Sequence, residues 1–190
     1  FVAGTASATP VPNMVINFTE QSGGTDLSFS GSIDTSGNSN HGSLNNGPPL
    51  SYLVPNAPEL LSFPGSLCDY YDFNTNVSMP AIGTGFYTAG TPSSGDNLYI
   101  SLLSPTYVSV YVPLGYANGS LSGTGHYATT LSGLGLTPGS YTWTFGNNNI
   151  AINVTGGSSP VPEIDPAGMG SVLALVTGAL GVLERRRQKV

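Results

Sequence analysis

One thiol, Cys68, and two imidazoles, His41 and His126, are the nucleophile and base candidates of this chain. With an aspartate they can in principle form a Cys-His-Asp arrangement, in which the imidazole takes the thiol proton and the carboxylate orients the ring. No local motif supports it. Cys68 lies in LCDYYDF, an aromatic, strand-like stretch, and reads as a buried, inert thiol. Asp69 and Asp72 are the nearest approach to a glycosidase carboxylate pair, but three residues apart on a strand they face opposite ways. The segment DTSGNSN at 34–40 offers oxygen ligands for calcium in a flexible loop, without the carboxylate density of a recognised calcium loop. Tyr52, Tyr70, Tyr71 and Trp143 can bind sugars through their ring faces, and the plainer reading makes them core and sheet-face residues. No catalytic, cofactor or metal site is expected.

Four stretches match the glycosylation sequon, at Asn17, Asn76, Asn118 and Asn153. In a chain this rich in Asn, Ser and Thr, chance supplies about that many.

The composition narrows the function further. Only 7% of the 190 residues are charged, against about 25% in ordinary globular proteins. Residues 1–160 carry Glu20, Asp26, Asp34, Glu59, Asp69, Asp72 and Asp96 and no Lys or Arg at all. Such a body cannot neutralise phosphates, which excludes nucleic acid as a partner. The chain opens on Phe1 rather than Met, as expected after removal of a secretory signal, and a lone cysteine fits an extracellular protein without disulfide staples.

The elements that must position these side chains follow a period of two. In NLYISLLSPTYVSVYVPLG, Val108, Val110 and Val112 share one face and Tyr107, Ser109 and Tyr111 the other, with Ser104-Pro105 at the turn of a hairpin. SYTWTFGNNNIAINV alternates through Tyr141, Trp143 and Phe145, turns at Asn147–Asn149, and continues through Ile150, Ile152 and Val154. MVINFT and DLSFSGSI alternate likewise, and shorter strands are expected at Ser51–Val54, Leu67–Phe73, Gly85–Thr88 and His126–Thr130. Many short strands with Gly, Pro, Asn and Ser between them predict an all-β body over 13–155, an antiparallel β-sandwich of jelly-roll type. Residues 31–50 are too polar for core and read as a surface loop. Residues 1–12 form an extended arm, expected to lie along a neighbouring subunit or an exposed sheet edge.

A Gly/Ser/Pro linker at 156–164 then separates the body from an apolar helix with a basic end at 165–190. Asp165-Pro166 is a strong helix start, and Pro166 to Leu183 carries no charge. Eighteen residues of helix span roughly 27 Å, close to the ~30 Å hydrocarbon core of a bilayer. Arg185, Arg186 and Arg187 follow, suited to a stop signal on the cytoplasmic side. Gly170, Ala174 and Gly178, with Gly181 beyond, leave one stripe of the helix nearly bare, which permits close helix packing.

This tail resembles the PEP-CTERM sorting signal of exported bacterial proteins: Pro162, Glu163 and Pro166, then the apolar helix, then the arginines. It departs from the usual form in placing Ile164-Asp165 before the second proline. The stretches INFTEQSGGTDLSFSGSID, YVPLGYANGSLSGTGHYATT and LSGLGLTPGSYTWTFG are similar to recurring stretches in the secreted bodies of such proteins. The resemblance implies export, a membrane stage, processing by an exosortase, and surface or matrix association without catalysis. The favoured expectation is a non-enzymatic structural subunit of an extracellular filament or matrix, assembling with copies of itself through the apolar helix and the arm. The alternative is a tethered or sorted surface domain that binds polysaccharide.

Overall fold

The computed structural model describes residues 11–156, except 46–49, 64, 66 and 75. The chain divides into two compact units, Phe1–Gly157 and Ser158–Val190, and every described residue belongs to the first. Residues 1–10 of the 1–12 arm, the linker beyond residue 156 and the apolar helix lie outside the described residues.

The alternating segments become strands. β1 (Met14–Gln21) buries Met14, Ile16 and Phe18, and β2 (Gly24–Gly31) buries Leu27 and Phe29 on the same side. β3 (Asn40–Asn45), β4 (Leu50–Val54), β5 (Glu59–Phe63), β6 (Leu67–Phe73) and the two-residue β7 (Val77–Ser78) follow. Then come β8 (Thr88–Gly95), β9 (Leu98–Ser104), β10 (Tyr107–Pro113) and β11 (Leu121–Tyr127). A single helical turn, α1 (Leu131–Leu134), is capped by the Thr130 hydroxyl and ended by Gly135 at φ +70°. β12 (Gly139–Phe145) and β13 (Asn148–Thr155) form the last hairpin.

All thirteen strands hydrogen-bond in one open sheet, ordered β3-β6-β10-β9-β5-β4-β8-β11-β2-β1-β13-β12-β7. The sheet is mixed. β1 runs parallel to β13, from Met14 opposite Ile150 to Thr19 opposite Thr155, and the other pairs are antiparallel. The purely antiparallel expectation is corrected at this pair. Two strands distant in sequence, both with an apolar inner face, meet wherever burial brings them, and no hairpin turn dictates their direction.

The sheet does not lie flat. β6 is second in the order and β12 twelfth, so a flat sheet would hold them roughly 48 Å apart at about 4.8 Å per strand. Instead, the rings of Phe73 on β6 and Phe145 on β12 meet edge to face at 4.9 Å. One continuous core joins Ile16, Phe18, Phe29, Leu53, Ile100, Val110, Trp143 and Ile152 from both halves. β8 carries the chain from one half to the other: Thr88–Gly90 pair with β4, and Thr91–Gly95 pair with β11 across an irregularity in register. Its glycine is structural. A Cβ on Gly90 would sit 2.7 Å from the Tyr127 ring, a distance no packed pair tolerates.

Several boundaries differ from the sequence expectation. Residues 31–50 contain β3, and Ile33 and Thr35 within them are buried. NHGSLN has no alternating apolar face, so its strand state comes from pairing with β6 alone. The strand expected at Gly85–Thr88 lies instead at Thr88–Gly95, where TAGTPSSG has the composition of a loop. β11 begins at Leu121 and ends at Tyr127, displaced from the expected His126–Thr130. The last hairpin turns at Gly146-Asn147, with Asn148 and Asn149 already in the ladder, because Gly146 supplies the φ of +54° that the tight turn needs. Trp143 and Phe145 are fully buried and Tyr141 only partly.

Candidate functional site

In β6, β9 and β10 the residues at core positions are Tyr71 and Phe73, Leu98 and Ile100, and Val108, Val110 and Val112. The intervening positions therefore lie on the opposite sheet face: Tyr70 and Asp72, Tyr99 and Ser101, and Tyr107, Ser109 and Tyr111, of which Ser101 and Ser109 are buried. Register aligns them across strands, with Tyr111 opposite both Tyr70 and Tyr99. Tyr52 of β4 extends the row, as do His41 of β3 at one end and Tyr87, just before β8, at the other.

The rings form an unbroken chain. His41 to Tyr70 is 5.1 Å, Tyr70 to Tyr111 5.2 Å, Tyr111 to Tyr99 4.7 Å, Tyr99 to Tyr52 6.2 Å and Tyr52 to Tyr87 5.1 Å between centroids. From β3 to β4 the row crosses about 24 Å of sheet, at ~4.8 Å per strand. Tyr52, Tyr70, Tyr99 and Tyr111 are half-buried and Tyr87 is exposed, so edges and faces of the rings reach solvent along its length.

Two carboxylates anchor the hydroxyls. Asp72 accepts from Tyr70 at 2.6 Å and from Ser109 at 2.6 Å, with His41 Nε2 at 3.5 Å. Burial disfavours the charged form of Asp72, but bonds from Ser109, Tyr107 and Tyr70 and the nearby imidazole outweigh it and hold the carboxyl below its usual range. Glu59 of β5 accepts from Tyr52 at 2.7 Å and Tyr99 at 2.5 Å, both on Oε1. The hydroxyls shift the other way. The bond to Asp72 raises Tyr70 and Tyr107 above the ordinary tyrosine value, while burial, followed by hydrogen bonding, raises Tyr52 and Tyr99. These tyrosines therefore stay neutral donors at any physiological pH.

The remaining candidates fall apart in space. The Cys68 thiol is buried beneath Tyr52, Tyr99 and Tyr111, donates to the Leu44 carbonyl, and is shifted up by burial, so it is a poor nucleophile. The imidazoles point to other partners, His41 to Asp72 and His126 to Asp26 at 2.8 Å. Asp69 and Asp72 do face opposite ways: Asp69 accepts from Ser43 and from the Gly115 N–H, away from the tyrosine row. Asp34 in the 34–40 loop spends its oxygens on Ser36 and Asn147. Among the described residues no three His, Cys, Asp or Glu side chains converge as metal ligands. Tyr71 and Trp143 are in the core, where Trp143 Nε1 donates to the Pro80 carbonyl; only Tyr52 and Tyr70 of the four sugar candidates belong to the row.

Asn76 is exposed. Asn118 is exposed at φ +58° and accepts from the Thr35 N–H and hydroxyl. Asn17 and Asn153 are half-buried neighbours whose amides bond each other at 3.0 Å. Pro162, Glu163, Pro166, Gly170, Ala174, Gly178, Gly181, Arg185, Arg186 and Arg187 lie outside the described residues.

Sequence reasoning passed over Tyr87, Tyr99, Tyr111, Glu59 and Ser109 as site residues. The period-two pattern of YVSVYVP already placed its tyrosines on the non-valine face. Nothing local showed which other strands would stand beside them. No family model, curated protein or solved structure matches this chain.

Proposed function

We propose that this chain is a non-enzymatic, exported surface domain that binds polysaccharide along the row from His41 to Tyr87. The observation that carries the reading is the unbroken chain of six rings on one outward sheet face, with carboxylates between them. A sugar ring offers C–H faces that pack on aromatic rings and hydroxyl edges that bond to carboxylates and phenols, and the row supplies both. An extended face suits the interior of a long polymer better than its end. The absence of any Lys or Arg before Arg185 disfavours strongly anionic polymers. A two-layer sandwich is the finer architecture that the Phe73–Phe145 contact supports, and it leaves this face outward. Export, an exosortase and a membrane stage rest on the resemblance of the tail.

The test is affinity electrophoresis or pull-down of the full chain on neutral glucans and N-acetylated glucosamine polymers, beside a Tyr70→Ala/Tyr111→Ala double variant. Retention of the wild type and its loss in a variant that still melts cooperatively is the expected result. A wild type that none of these polymers retains, or a variant that unfolds but binds in proportion to its folded fraction, would reduce the row to cross-strand packing.

Self-assembly into a filament or matrix is the second reading, and one observation favours it. Among the described residues the sheet stays open, with β3 unpaired along one side and β12 paired to β7 only at Thr144 and Phe145. Such edges accept strands from a neighbour. Comparing the assembly of chains with and without residues 1–12 tests it, and equal assembly would remove it.

A further inference from the structure

We infer that Tyr52, Tyr87, Tyr99 and Glu59 form an ammonium-binding subsite at one end of the row, which takes the protonated amino group of an amino-sugar unit. The inference rests on the polysaccharide reading and narrows its substrate class.

The two carboxylates of the row are not equivalent. Asp72 receives hydroxyl bonds on both oxygens and has His41 beside it. Glu59 takes both of its tyrosine hydroxyls on Oε1, and its Oε2 has no donor among the described residues. The two hydroxyls hold the carboxylate in place, so the second oxygen is an acceptor fixed in advance. No Lys or Arg occurs in residues 1–184 to neutralise it. The two donors to Glu59, Tyr52 and Tyr99, pack edge to face at 6.2 Å, and Tyr87 lies 5.1 Å from Tyr52. Glu59 is half-buried and Tyr87 is 58% exposed, so this end of the row reaches solvent.

A fixed carboxylate oxygen beside a run of aromatic rings suits an ammonium on a sugar: the oxygen takes one charge-assisted hydrogen bond while the neighbouring rings pack the sugar. A neutral hydroxyl gains only the ordinary hydrogen bond there. A lysine side chain would satisfy the same chemistry, but the subsite continues directly into a row of rings suited to a sugar polymer, and that continuity selects the amino sugar.

The experiment compares binding of the full chain to a glucosamine polymer and to its N-acetylated form, at a pH where the free amine is protonated. The wild type is expected to hold the amine form about tenfold more tightly, the lower end of what a charged hydrogen bond contributes. Glu59→Gln keeps an acceptor for Tyr52 and Tyr99, and is expected to weaken binding of the amine polymer about tenfold more than that of the acetylated one, so that the preference is lost. Tyr87→Leu, at an exposed position, is expected to reduce the preference and serves as the second variant if Glu59→Gln lowers the midpoint. Asp26→Asn, remote on β2, removes the same charge and should leave the preference intact. A loss equal to that of Glu59→Gln would assign the effect to overall charge and overturn the subsite. Equal binding of the two polymers by the wild type would overturn the subsite and leave the polysaccharide face standing. Binding of neither would overturn the subsite, and, where neutral glucans are not retained either, the polysaccharide face with it.

Discussion

The two halves of the sheet share one core and present unlike faces to solvent. Over β12, β13, β1, β2 and β11 the outward positions include Ser140, Thr142, Asn153, Asn17, Ser28 and Thr124, beside Val15, Ala151, Asp26 and His126. They form short polar links such as Ser140 to Asn153, Asn153 to Asn17, and Ser94 to Thr124. Over β6, β10, β9 and β4 the same positions hold Tyr70, Tyr111, Tyr99 and Tyr52. Beneath both faces lie the same kinds of residue: Ile16, Phe18 and Ile152 under one, Ile100, Val108 and Val110 under the other. The first face covers this core with small and polar side chains and with no aromatic ring other than His126. The tyrosine face alone offers a run of large rings, and this difference directs the functional reading to it.

The largest expected effect separates the faces directly. Tyr70→Ala/Tyr111→Ala should weaken polysaccharide retention about a hundredfold, taking roughly tenfold for each ring. Asn17→Ala/Thr124→Ala, its counterpart on the polar face, should leave retention unchanged. Similar losses from both would dissolve the distinction. Affinity electrophoresis of the two double variants beside the wild type reads it.

A second test strikes the joint between the halves. Gly90→Val pushes side-chain atoms into Tyr127 and the His126 carbonyl and should cost about 1–3 kcal/mol by overpacking. Denaturant titration measures it. An unchanged midpoint would mean that β8 yields freely and that the halves are not held by this contact.

Solution pH should act on the aromatic face from both sides. The raised tyrosine values mean that the folded state favours the neutral phenols. That contribution is full below the ordinary value near 10 and is lost as pH rises through the higher folded values. Asp72 has the opposite sign. Its folded value is lowered, so its contribution is present above about pH 4 and is lost as pH falls through the folded value. Melting midpoints across pH 2 to pH 12, taken here as a roughly full titration range, should fall on both limbs. Asp72→Asn should flatten the acid limb and Tyr70→Phe should blunt the alkaline one.

The smallest effect belongs to the polar face. Asn153→Ala removes its bonds to Asn17 and Ser140 and should lower stability by about 1 kcal/mol, with no change in binding. A binding loss here would move the site to the wrong side of the molecule.

Local alternation was enough to read much of this in advance. Val108, Val110 and Val112 against Tyr107, Ser109 and Tyr111 followed from the two-residue period alone, because successive side chains of a strand must point to opposite faces and water selects which face stays outside. The same rule buried Trp143 and Phe145 and set Asp69 and Asp72 apart. It failed for β3 and β8, since NHGSLN and TAGTPSSG carry no alternating apolar signal and are strands only because β6, β4 and β11 offer them partners. The sequence by itself thus determined the all-β body, the lack of cations over 184 residues, and the face of its own strand on which each tyrosine sits. Only the tertiary structure decided that Tyr70, Tyr111, Tyr99 and Tyr52 stand side by side, that Glu59 joins Tyr52 to Tyr99, and that β1 runs parallel to β13. Strand order and register are set by how distant segments share one core, and that free-energy balance has no local signature in the chain.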